Sequence, residues 1–132
     1  MSHESEARGS IPPLPRLMLE PLVRAALLED LGRAGDITTQ AVVPAAARSR
    51  LALVARQRGV LAGLELAQLA FTLMDPALRW EPLLEDGARL APGTVIATLE
   101  GSARAILTAE RTALNFLGHL SGVASATARI AD

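Results

Sequence analysis

The stretch 108–122, TAERTALNFLGHLSG, holds side chains suited to gripping an anion. Arg111, Asn115 and His119 recur every four residues, and on a helix that spacing puts them on one side. Arginine offers a planar fork of donors that matches a carboxylate or phosphate through two parallel hydrogen bonds. Asn115 is awkward inside a helix because its side chain competes for backbone groups, so something should hold it. Gly118 and Gly122 remove side chains from the same stripe and would let a ligand or another chain segment come close. The reading is a narrow groove with Arg111 at its mouth. Thr108 is expected to cap this helix, placing Glu110 in the first turn, where exposed N–H groups favour a carboxylate. An ordinary helix would use the same residues otherwise, with Arg111 paired to an acidic neighbour and His119 as polar filler. His119 is a poor metal ligand, since the second histidine is His3 in the leader. No nearby carboxylate orients it as a base.

Composition removes much other chemistry. Cysteine is absent, which excludes thiolate nucleophiles, disulfides and cysteine-held metals. All 13 basic residues are arginine, so Schiff-base chemistry, a Walker A lysine and a lysine-mounted cofactor are excluded too. A net charge of -1 gives no broad attraction to nucleic acid or anionic lipid. No stretch of transmembrane or signal-peptide character occurs, and a cytoplasmic protein is expected.

The elements that must position the stretch follow from periodicity. Residues 1–19 read as a flexible leader, with Pro12, Pro13 and Pro15 opposing regular structure. Pro21 opens a helix carrying Leu22, Val23, Ala26, Leu27 and Leu31, with Gly32 as its stop. Glu29 and Asp30 near its end read as solvated charge, or else as a functional pair. Gly35 to Thr39 is a turn with capping residues. Residues 48–58 alternate as a strand with a wet arginine face, and 64–74 form an amphipathic helix. Gly59 and Gly63 bend the chain between them. A strand over 78–83 belongs near an edge, because Pro82 cannot donate to a ladder. Two turns over 85–94 precede a strand over 95–101, and 102–107 reads as a short strand. Within the last helix Ala109, Ala113, Leu117 and Leu120 form the apolar stripe, and 124–132 reads as a helix heading onward. The expected fold class is α+β, an α/β sandwich of about four antiparallel strands covered by helices.

Several motifs carry a resemblance: Leu27 to Gly32, Gly35 to Thr39, Gly59 to Gly63, Asp86-Gly87, Pro92-Gly93 and Leu107 to Leu117. In order and type they resemble the quinolinate phosphoribosyltransferase family, also called carboxylating nicotinate-nucleotide pyrophosphorylase. The resemblance implies an N-terminal sandwich over 20–118, with 119–132 starting the connection to an absent α/β barrel-like domain. It implies a fragment that is inactive alone, belonging to an enzyme that makes nicotinate mononucleotide, pyrophosphate and CO₂. The substrates implied are quinolinate and phosphoribosyl pyrophosphate, with Mg²⁺ bound to the latter in the barrel and no cofactor expected in this stretch. It implies a homodimer or higher homo-oligomer in which Arg111 reaches the neighbouring subunit's site. Glu110 would orient that arginine, with Asn115 and His119 as further substrate-binding candidates. A related pyrophosphorylase of the molybdenum-transport-associated type and a nonenzymatic dimerising module are the alternatives.

Overall fold

A computed structural model describes residues 15–34, 43–121 and, by backbone, 126–130. The element order is α1 (Arg16–Ala34), β1 (Arg48–Ala55), β2 (Gly59–Val60), α2 (Leu64–Met74), β3 (Arg79–Pro82), β4 (Arg89–Leu90), β5 (Val95–Ser102), α3 (Ala103–Leu120) and β6 (Ala126–Ile130). Four strands form one antiparallel sheet in the order β3-β5-β1-β6, and β2 pairs with β4 as a separate ribbon. Helix α3 lies against β1, β5 and β6 and also packs on α1 and α2. The α+β sandwich of antiparallel strands and covering helices is therefore as expected.

The sheet's two faces follow from alternation. Leu51, Leu99 and Trp80 share one cross-strand row and point into the core, while Arg50, Glu100 and Arg79 share the next. Both guanidinium groups approach Glu100, at 3.9 Å each. A register shift between Leu53 and Val54 breaks the alternation in β1, so Leu53, Val54 and Ala55 are all buried. Pro82 ends β3, which is an edge strand as its missing N–H demands. The main core joins Val23 and Leu27 of α1 to Leu66, Leu69 and Phe71 of α2. Leu53, Ile96, Leu99, Ile106 and Leu117 complete it from the sheet and α3.

Several local expectations are overturned. Helix α1 starts five residues before Pro21 and runs past Gly32 to Ala34. Proline is tolerated because the carbonyl it leaves without a donor, that of Leu17, lies on an exposed turn where water can reach it. Residues 103–107 are not a strand but the start of α3, and Ser102 ends β5. Ser102 caps α3, its side chain accepting from Ala105 N at 3.3 Å, so Thr108 is not the cap. Residues 126–130 pair antiparallel with β1 rather than forming a helix. Residues 16–19, expected in the leader, are the start of α1, whereas the rest of the leader over 1–14 and the expected turn over 35–39 lie outside the described residues.

Candidate substrate-gripping face of the last helix

The earlier start of α3 changes the setting of its candidate residues. Glu110 is in the third turn, so it gains nothing from the N-terminal N–H groups. Burial pushes its carboxyl above the usual carboxylate range. No hydrogen bond or ion pair joins it to Arg111 among the described residues. The cause is geometric, since adjacent helical residues diverge by about 100°.

Arg111, Asn115 and His119 do fall together on one exposed side of α3, beside Leu107. Among the described residues the Arg111 guanidinium has no acidic partner. Arg104, on the same helix, is instead committed to the chain, its Nε donating to Val43 O at 2.6 Å. The expected two-glycine groove does not open beside Arg111, because Gly118 is buried. Gly122 lies outside the described residues. Leu120, expected in the apolar stripe, is 46% exposed, whereas Ala109, Ala113 and Leu117 are fully buried.

What aims this face is the packing of the opposite side. Two further polar ties hold α3 in place. Thr112 is only 2% exposed, and its hydroxyl donates to Asp30 Oδ2 of α1 at 2.5 Å. Ser121, the C-cap residue, is 4% exposed. Its Oγ accepts from Ala62 N and donates to Ala62 O, both at 3.0 Å, while its own carbonyl accepts from Val60 N at 3.2 Å. The Glu29-Asp30 pair thus divides: Glu29 is exposed and bonded to Arg33, whereas Asp30 turns inward. The first of these ties left a partial signal in the sequence. Asp30 continues the buried Val23–Leu27 stripe at helical spacing, and Thr112 is a polar residue between buried Ala109 and partly buried Phe116.

Neighbouring caps keep the α2–α3 layer in register. Asp86 accepts from Gly63 N at 3.3 Å and Leu64 N at 3.2 Å, capping α2 from 22 residues away. Gly63 has φ 85°, which favours glycine, and a Cβ there would lie 2.7 Å from Leu120 Cδ1, so that flexible side chain would have to shift. A separate hollow of about 360 Å³ on the outer sheet face is lined by Arg50, Arg79 and Glu100 among others, and by no residue of α3. Its arginines share one glutamate and stand on a solvated face, which suits a surface ion-pair row. Among the described residues no group of three or more His, Asp or Glu side chains could hold a metal ion. No helix there is long and apolar enough to cross a membrane.

A family model described as "Quinolinate phosphoribosyl transferase, N-terminal domain" matches residues 36–121. The chain is 36% identical over 121 residues to quinolinate phosphoribosyltransferase [decarboxylating] 1 of Nicotiana glauca, covering 92% of this chain and 35% of that protein. It is 43% identical over 112 residues to nicotinate-nucleotide pyrophosphorylase [carboxylating] of Mycobacterium leprae, covering 83% of this chain and 39% of that protein. The crystal structure of NadC from Streptococcus pyogenes superposes with a TM-score of 0.78 at 39% identity, over 86% of this chain and 40% of that one. The chain thus spans somewhat more than a third of the length of these relatives.

Proposed function

Because the chain belongs to the quinolinate phosphoribosyltransferase family through its N-terminal domain, we propose that it serves in an enzyme joining quinolinate to phosphoribosyl pyrophosphate. In that reaction the pyridine nitrogen attacks the anomeric carbon, pyrophosphate leaves, and loss of the 2-carboxylate as CO₂ gives nicotinate mononucleotide. The role assigned to this domain is to grip the dicarboxylate. Arg111 carries the assignment: an exposed guanidinium without an acidic partner among the described residues, on a helix whose other side is fixed in the core. Its fork can take one quinolinate carboxylate in two hydrogen bonds, and the charge it places there helps hold the substrate for in-line attack. Asn115 and His119 extend the same face and are assigned to its rim. Glu110 lies on the border of that face and makes no hydrogen bond or ion pair with Arg111 among the described residues, so it is assigned no direct grip.

The described residues do not fit Mg²⁺, and no step is assigned to the metal here. The reacting groups are placed in the remainder of the enzyme. Arg111 faces away from the core of its own domain, which supports its reaching a site on a second subunit of a homodimer.

The test is Arg111→Ala in the longer enzyme. Quinolinate binding and turnover should fall by the ~2–5 kcal/mol typical of breaking a desolvated charge pair. Arg111→Lys should recover little, since a point charge cannot copy the fork. The 132-residue chain alone should show no turnover with quinolinate, phosphoribosyl pyrophosphate and Mg²⁺. Unchanged quinolinate affinity in Arg111→Ala would reject the assignment. For the shared site, Arg111→Ala subunits are mixed with subunits inactivated elsewhere in the active site. Recovery of roughly a quarter to a half of the activity is expected from a two-fold interface, and no recovery in verified heterodimers would reject it.

A further inference from the structure

We propose that Asp30, acting through Thr112, is a positioning residue that sets the rotation of α3 and so the point at which Arg111 delivers its guanidinium. The inference rests on the assignment of Arg111 to quinolinate. Its basis is the hydroxyl–carboxylate bond that ties α3 to α1, the one polar side-chain tie between these helices among the described residues.

Thr112 follows Arg111 directly, so any rotation of one about the helix axis is shared by the other. Toward the start of α3, the side that carries Thr112 is smooth. Ala105 and Ala109 precede it by seven and three residues and offer only methyl groups, while Phe116 lies four residues on. Low ridges resist sliding and turning poorly, because helix packing is specified by interlocking ridges and grooves. A hydrogen bond is directional where alanine packing is not. The anchor itself is firm: Asp30 follows Leu19, Val23 and Leu27, which bury α1 in the core.

The lever is long enough to matter. Side chains reach roughly 6 Å from a helix axis, so a rotation of about 10° shifts a rim group by about 1 Å. A misplacement of that size can cost roughly 10²-fold in rate. Stability alone would not call for this pair. Replacing both partners of a buried hydrogen bond by apolar groups of similar shape is often nearly neutral. The polar pair contributes direction.

The experiment uses the longer enzyme with Thr112→Val, Thr112→Ser and the paired change Asp30→Leu with Thr112→Val. Thr112→Val is also combined with Arg111→Ala, and melting is followed throughout. Thr112→Val should raise the quinolinate KM about tenfold or more and leave that for phosphoribosyl pyrophosphate within about twofold, while Thr112→Ser stays near the parent. In the Arg111→Ala background Thr112→Val should add less than about twofold, because the group it positions is gone. The paired apolar variant, which serves even if Thr112→Val alone fails to fold, should regain stability but keep the raised quinolinate KM. Recovery of both in that variant would overturn the proposal. So would a full additional effect of Thr112→Val on top of Arg111→Ala. If Arg111→Ala itself leaves the quinolinate KM unchanged, the functional assignment falls first, and the two failures are told apart.

Discussion

Ser121→Ala tests whether the tie at the end of α3 is a structural pin. The substitution removes one oxygen and strands two backbone groups, the N–H and the C=O of Ala62, each held at 3.0 Å. An unsatisfied buried polar group costs about 1–3 kcal/mol. Ala62 is only partly buried, so water relieves some of that cost, and the lower end applies to each group. The expected loss is about 2–3 kcal/mol, a large share of the ~5–15 kcal/mol that holds a domain together. Urea denaturation of this chain can read it through Trp80, the sole tryptophan, whose ring lies 6.2 Å from that of Phe71. With a urea slope of roughly 1–3 kcal/mol per molar, the midpoint should fall by about 0.7–3 M. Ser102→Ala is the internal control, since it removes one hydroxyl at the other end of the same helix. Loss of such a cap costs typically about 1 kcal/mol. The reasoning is refuted if Ser121→Ala costs no more than Ser102→Ala, or if its midpoint matches that of the parent.

Two further outcomes follow from exposed and half-buried groups. Burial raises the Glu110 carboxyl, so in the window between its unfolded and folded values the folded state holds more protons than the unfolded one, and this group's contribution to stability falls as pH rises. Glu110→Gln should therefore stabilise the chain at neutral pH, and the advantage over the parent should shrink as pH falls through that window in paired melting curves; an advantage that grows on acidification has the wrong sign. Leu17, at 83% exposure, forms with Met18, Leu22 and Leu28 an apolar stripe on α1. The chain should self-associate at micromolar concentration in sedimentation, and Leu17→Glu with Leu28→Glu should shift it toward monomer; a parent that sediments only as monomer contradicts this.

Much of the architecture was legible because its signals are local. The helix over 64–74 and the Pro82 edge strand follow from apolar spacing and from proline's missing donor. The start of α3 was misplaced because Thr108 and Ser102 are both acceptable caps, and only the pairing of Ser102 with Arg48 in the sheet decides between them. The four-residue spacing of Arg111, Asn115 and His119 put them on one face, as read. The first-turn placement of Glu110 failed with the helix start, since it depended on the cap. Asp30 escaped because a carboxylate near a helix end reads as solvated until its partner, 82 residues away, is known.

Helix α3 touches two other helices and three strands, so it is the least separable part of this domain. Amide exchange makes that concrete. A frayed end or a loop exchanges by local opening, whereas an element locked into every layer exchanges only when the whole domain opens. The backbone N–H of Arg111 should therefore be among the slowest to trade its proton for deuterium. The same linkage runs in reverse. A ligand held by Arg111 would stabilise the folded state by mass action, and the added protection would spread over the sheet and the helices packed on α3 rather than stay at the contact.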